Sequence, residues 1–217
     1  MRRSAATHRD AIILITDGAD PSLGNEGYQL SATPDDVIIA ASHSAGLFYG
    51  TQTLRQLLPK EIESANVVTG VSWTVPGVAV WDTPKYAERG LMLDAGRQME
   101  SIDFVKRTVD RMAYQKLNML HWHLTDDEGW RVEIKRYPAL TAPAASASTA
   151  PTYYTQQELR NIVAYAEARY VTIVPEIEMP AHDHGVVAAY PGLSIIRSRR
   201  LAHRLLEIQR IRCRRPQ

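Results

Sequence analysis

The stretch from Arg89 to Trp130 limits the possible folds most. It reads RGLMLDAGRQ, then a helical segment, then NMLHWHLTDDEGW. Two short apolar runs, Gly90 to Leu93 and Met119 to Leu124, each end in charged or imidazole side chains. Buried parallel strands have this appearance when their C-terminal tips form a site. Between them Ser101 can cap a helix, Asp103 suits its positive first turn, and Ile102, Val105, Val109 and Met112 recur at helical spacing. A strand, helix, strand crossover is right-handed and brings both strand tips to one edge. Asp94, Arg97, His121, His123, Asp126 and Asp127 are therefore expected on one rim.

The alternation of strand and helix continues. Thr155 and Glu158 form a capping box ahead of Leu159, Ile162, Val163 and Ala166, and YVTIVPEIE supplies a third buried strand. Glu176, Glu178, His182, Asp183 and His184 follow at or just beyond its tip. TAPAASASTAPT between the units reads as a flexible surface loop. Parallel strands are expected near residues 90 to 94, 118 to 124 and 171 to 177.

The pattern before Arg89 is different. AIILIT is a short apolar strand, and GYQLSAT places Tyr28, Leu30 and Ala32 on one face before turning through Pro34, Asp35 and Asp36 into VIIAAS. A helix follows, with Leu47, Thr51, Leu54 and Leu58 on one face and Pro59 at its end. The Val- and Trp-rich segment up to Pro84 runs extended. This reading gives an antiparallel sheet with at least one helix.

The fold class is thus α/β: a small α+β domain over residues 11–84, then an incomplete (β/α)8 TIM-type barrel over 85–193. A complete barrel takes about 250 residues, and the stretch after Arg89 holds about three or four βα units. The last segment, 194–217, becomes Arg-dense with no strand to continue the alternation, and reads either as a solvated amphipathic helix or tail or, the reading favoured here, as a segment foreign to the domain. The net charge of +1 gives no polyanion signal, so no nucleic-acid partner is expected. The single cysteine, Cys213, precludes an internal disulfide framework and any multi-cysteine zinc site. No apolar stretch reads as a signal peptide or membrane span, so no membrane partner is expected and the compartment stays open.

RGLMLDAGR, MAYQKLNMLHWHLTDDEGWRVEIKRYPALT, YYTQQELRNIVAYAEARYVTIVPEIEMPAH and AAYPGL resemble the β-N-acetylhexosaminidases of glycoside hydrolase family 20. EGYQLSATPDDVIIAASHSAGLFYGTQTLRQLLP resembles the α+β domain that precedes their barrel. The likeness covers nearly all of residues 11 to 193 and stops near Leu193.

The resemblance implies a retaining exo-hydrolase acting on terminal N-acetylglucosamine or N-acetylgalactosamine, with an amino-sugar glycan or chitooligosaccharide as partner. The substrate's own acetamide oxygen serves as nucleophile in this family. The enzyme then supplies an acid for the leaving oxygen and a carboxylate for the acetamide. In the family these are an adjacent Asp-Glu pair on the fourth barrel strand. The pair has no counterpart in this sequence, since Asp127-Glu128 matches a different motif, so the catalytic pair is unassigned and the 217-residue chain is expected to be a poor or inactive glycosidase. Arg97 matches the arginine that holds the sugar's 3- and 4-hydroxyls. Asp126 matches the site aspartate and His182 the histidine after the third strand, which together bind substrate and tune the acid. Glu178 stands where the family has Asp, Ala181 where it has Gly, and Gln98 and Met99 replace a His and an aromatic residue.

Two other readings fit parts of the sequence. One is a non-catalytic amino-sugar-binding fragment, which keeps Arg97 and Asp126 without the acid pair. The other is part of a metal-dependent hydrolase barrel, with His121 and His123 converging on zinc. Hydrogen bonding is expected for both histidines instead, with no metal and no cofactor. Trp122 and Trp130 are expected to pack rather than to stack on sugar.

Overall fold

The computed structural model describes residues 10–142 and 152–193, which fall into two compact units. The first takes the chain up to Arg89 together with Asp110–Asn118, and the second takes Gly90–Val109 and the chain from Met119. Segment 194–217 with Cys213, and most of the Ala- and Ser-rich loop, lie outside the described residues.

In the first unit, strands β1 (Ala11–Ile15), β2 (Tyr28–Ala32), β3 (Asp36–Ala40) and β4 (Val78–Asp82) form a sheet of order β1-β3-β2-β4. The β2–β3 hairpin forms where the alternation and turn residues place it. Thr33 Oγ1 closes the turn, accepting from the Asp35 and Asp36 amides at 3.2 Å and donating to Asp36 Oδ1 at 2.9 Å. The sheet is mixed, not antiparallel as expected: β1 runs parallel to β3. β2 has both edges filled by β3 and β4, so β1 takes the remaining edge of β3.

Helix α1 (Ser44–Leu57) also corrects the sequence reading. Its buried residues include Gly46, Tyr49, Gly50 and Leu54, an i, i+3, i+4, i+8 row, whereas Leu47, Thr51 and Leu58 are only half-buried. Glycine spacing sets this face. A β-carbon on Gly46 would overlap the Gly27 carbonyl, and one on Gly50 would overlap Ile39 Cγ2. The helix therefore lies directly on β2 and β3. The core of this unit is Tyr28, Leu30, Ile39 and Tyr49, each at most 2% exposed. Tyr28 carries its hydroxyl into that core and satisfies it with Thr53, Asp82 and Lys116 at 2.6, 2.8 and 2.7 Å.

The second unit is built on three parallel strands, β5 (Gly90–Asp94), β6 (Met119–His123) and, further along the chain, Thr172–Glu176, paired in that order. Between β5 and β6 runs α2 (Ile102–Tyr114), whose start is capped by Ser101 Oγ accepting from the Phe104 amide at 3.2 Å. Val105, Val109 and Met112 are buried as the spacing requires. After β6 come two-residue strands β7 (Thr125–Asp126) and β8 (Gly129–Trp130), then α3 (Gln156–Glu167) with the expected Thr155–Glu158 capping box. The third parallel strand is β9, and α4 (His184–Ala189) follows it. On α3, Ile162 and Ala166 are buried, but Val163 is 48% exposed. Val163 sits about 100° round the helix from Ile162, off the row that meets the sheet.

Alternation along β6 sorts its side chains into two populations. Leu120 and Trp122 point into the apolar interior with Leu124 beyond them, all at most 2% exposed, while His121 and His123 project from the opposite face. Trp122 packs on Tyr154 with ring centroids 4.8 Å apart, and Trp130 is 8% exposed. Both tryptophans are packing residues, as expected. Among the described residues no helix is long and apolar enough to cross a membrane.

Candidate active site

Register places the site. Asp94, His123 and Glu176 are the last residues of β5, β6 and β9 and are paired neighbours across the sheet, so their side chains share one face at one edge. His121 lies one step back on that face, opposite Met92 and Val174. The chain after β6 turns through Asp126 and Asp127, and the chain after β9 returns with His182 in a left-handed conformation of φ 54°. Few side chains adopt that backbone without a reason, and here it aims the imidazole at the aspartates.

Asp126 is the hub of the rim. Its side chain is 3% exposed and accepts from four directions. Oδ2 lies 2.7 Å from Arg97 Nη2 and 3.0 Å from His123 Nε2, while Oδ1 lies 2.7 Å from the Asp127 amide and 3.2 Å from His182 Nδ1. Burial alone would raise its pKa, but the Asp127 amide, His123, Arg97 and His182 outweigh that and hold it below the usual 3.8. Arg97 spreads its fork over two carboxylates, with Nη1 also 2.7 Å from Asp94 Oδ2, and half of its side chain faces solvent. Arg97, Asp126 and His182, read from three separate segments, thus come together on one rim.

His121 and His123 converge on a carboxylate. Nε2 of His121 and Nδ1 of His123 lie 2.8 and 2.7 Å from the same Glu176 Oε2. The hydrogen bond from His123 holds Glu176 below the usual 4.5 against a burial effect in the other direction. Beside it, the Glu178 amide donates to Thr125 Oγ1 at 2.7 Å. His184 Nδ1 lies 3.2 Å from Asp127 Oδ1, and Asp183 serves α4 through its carbonyl, which accepts from Val186 and Val187. Two groups bring metal-ligand atoms within 4.8 Å of one another, His123 with Glu176 and Glu178, and Asp126 with Asp127 and His182. Within them the His123–Glu176 contact is a hydrogen bond of 2.7 Å, and His182 Nδ1 stands 3.2 Å from Asp126 Oδ1.

One residue of the site is absent from the sequence reading. Arg131, after β8, turns its guanidinium back onto the loop that carries Arg97. Nε donates to the Ala95 carbonyl at 3.0 Å, Nη2 to Gly96 at 3.0 Å and Nη1 to Thr152 at 3.1 Å. A β-carbon on Gly129 would overlap that guanidinium, so the Gly in EGWR makes the fold-back possible. The nearby glycine was the available signal.

Carboxylates, histidines and one arginine gathered at the C-terminal tips of parallel βα strands are the arrangement of a β/α-barrel type of site. Comparison with known proteins identifies the family. Residues 86–210 match the catalytic domain of glycosyl hydrolase family 20, and residues 2–83 match domain 2 of the same family. The chain belongs to glycosyl hydrolase family 20. It is 45% identical over 190 residues to a beta-hexosaminidase of Porphyromonas gingivalis, covering 85% of this chain and 24% of that protein. Among solved structures it resembles the family 20 β-N-acetylhexosaminidase of Streptomyces coelicolor A3(2), at 40% identity and a TM-score of 0.78, over 87% of this chain and 38% of the other. A mutant Streptomyces plicatus beta-hexosaminidase in complex with product (GlcNAc) is similar at 43% identity and a TM-score of 0.77, over 85% of this chain and 37% of the other. The chain thus spans well under half the length of these relatives. The catalytic-domain match extends past Leu193, where the quoted likeness stops.

Proposed function

We propose that the rim around Asp126 is the part of a β-N-acetylhexosaminidase site that grips the non-reducing terminal N-acetylhexosamine of a glycan or chitooligosaccharide. The observation that carries this reading is the half-exposed Arg97 fork, fixed between Asp94 and Asp126 at the tips of three parallel strands. A sugar hydroxyl both donates and accepts, so a guanidinium flanked by carboxylates complements two vicinal hydroxyls. Arg97 donates to the 3- and 4-hydroxyls, while Asp126 and His182 hold the inner side of the site and support the acid. The reaction is hydrolysis with retention, in which the substrate's acetamide attacks the anomeric carbon.

Titration calorimetry of the 217-residue chain with N-acetylglucosamine and with glucose tests the reading. The amino sugar is expected to bind in preference to glucose, and Arg97→Met to weaken it about tenfold or more, the scale of a lost charge-assisted hydrogen bond. Equal binding of the two sugars, or an Arg97→Met chain that binds like wild type, would contradict it. Release of 4-nitrophenol from the N-acetyl-β-glucosaminide separates a hydrolase from a binding module.

A further inference from the structure

His123 is the most enclosed histidine of the rim, with its side chain 5% exposed against 39% for His121 on the same strand face. Both of its ring nitrogens face carboxylates, Nδ1 toward Glu176 Oε2 at 2.7 Å and Nε2 toward Asp126 Oδ2 at 3.0 Å, with Asp94 Oδ1 at 3.8 Å. A neutral imidazole carries one N–H and one lone pair. Either tautomer would press that lone pair against a carboxylate oxygen at hydrogen-bond distance. Only the doubly protonated ring satisfies both contacts.

The ring is also held sterically. A β-carbon on Gly96 would stand 2.9 Å from His123 Cδ2 and 3.1 Å from Nε2, so the imidazole is seated against the loop that presents Arg97. The His123 carbonyl accepts from the Ala95 and Gly96 amides at 3.0 Å each. The oxygen of Asp126 that faces His123 is the one that pairs with Arg97 Nη2.

We propose that His123 is the positioning residue of this site: a buried imidazolium that fixes Asp126 and Asp94 and through them the fork of Arg97. This rests on the reading of Arg97 as the residue that grips the sugar. The groups that face His123 are Asp94 from β5, Glu176 from β9, and Asp126 from the turn after β6. Beyond them lie His121 and Glu178 beside Glu176, and Arg97 and His182 beside Asp126. Three carboxylates face the ring, and two of them, Asp94 and Asp126, also pair with the Arg97 guanidinium. Burial by itself would lower the pKa of His123, but the hydrogen bonds to Glu176 and Asp126 override it and raise the pKa above 6.5.

The test is nuclear magnetic resonance of the isotope-labelled 217-residue chain without sugar, following the His123 ring nitrogens and the Arg97 guanidinium against pH. Both ring nitrogens are expected to be protonated at pH 6.5, with a midpoint above that value. Arg97 is expected to show the distinct, slowly rotating Nη signals of a held fork below that midpoint and averaged signals above it. In His123→Gln the averaged pattern should appear at every pH, and affinity for N-acetylglucosamine should fall about tenfold. A midpoint at or below 6.5, or a fork that stays held both above the midpoint and in His123→Gln, would overturn the proposal. If His123→Gln does not fold, the wild-type titration decides alone. Failure of the wild-type chain to bind N-acetylglucosamine would count against the sugar-site reading, while the Arg97 signals would still decide the positioning role.

Discussion

Replacing Arg131 with Met should release the loop that carries Arg97 without altering the chemistry of any other side chain on the rim. Three hydrogen bonds from a charged donor are lost, to Ala95, Gly96 and Thr152. The first two carbonyls belong to buried residues and find no easy replacement, whereas Thr152 is half-buried and can turn to water. A hydrogen bond to a charged group contributes about 1.5–3 kcal/mol, so two lost without rescue amount to about 3–6 kcal/mol. Against this, burial already disfavours the charged guanidinium and lowers its pKa, and Met recovers that cost together with some packing. The net destabilisation of the loop is about 2–4 kcal/mol. The readout is amide hydrogen exchange at Ala95 and Gly96, whose N–H groups both donate to the His123 carbonyl. Their protection should fall about thirtyfold or more, and Arg131→Lys should recover only part of it, because an ammonium cannot reach three carbonyls in one plane. Protection in Arg131→Met within twofold of wild type would refute the clamp.

Other expectations concern stability and titration. Ile162→Ala on α3 empties a fully buried position and should cost about 2–5 kcal/mol by urea denaturation of the second unit. Thr155→Ala removes the hydroxyl that accepts from the Glu158 amide and should cost about 1 kcal/mol in the same experiment. Burial pushes the Tyr154 hydroxyl from 10.0 up to about 12. Its neutral form is therefore favoured by the fold, a contribution fully present below pH 10 and lost as pH rises toward about 12, so ultraviolet titration should show a late-ionising component that shrinks by one tyrosine in Tyr154→Phe. Asp126 and His123 shift in opposite directions. Asp126 contributes above pH 3.8 and is lost as acid titrates its depressed folded pKa, while His123 contributes below pH 6.5 and is lost as base titrates its raised one. Stability of the second unit should therefore peak between those limits and should flatten on the alkaline side in His123→Gln.

The strands and their functional tips were legible because each apolar run ends abruptly in acids or histidines, and because Ser101, Thr155 and Glu158 mark helix starts by local chemistry alone. The convergence of Arg97, Asp126 and His182 was legible through the handedness of the crossover. What failed depended on partners distant in sequence. The face of α1 is set by Gly46 and Gly50 meeting Gly27 and Ile39, and a count of leucines at helical spacing cannot reveal that. The parallel β1–β3 pairing joins strands separated by β2 in sequence, which no single segment encodes. His121 and His123 looked equivalent, yet strand register puts only the second between Asp94 and Glu176. Arg131 was not legible because its partners are backbone carbonyls without sequence identity.

The central claim is that Arg97, oriented by Asp94 and Asp126, grips a terminal amino sugar. A crystal structure of the 217-residue chain with N-acetylglucosamine tests it most directly. The account predicts the ring over the tips of β5, β6 and β9, with the 3- and 4-hydroxyls about 2.8 Å from the Arg97 guanidinium and Asp126 still paired to His123. A sugar bound away from Arg97, or an Arg97 swung off both aspartates to leave the hydroxyls to other groups, would contradict it.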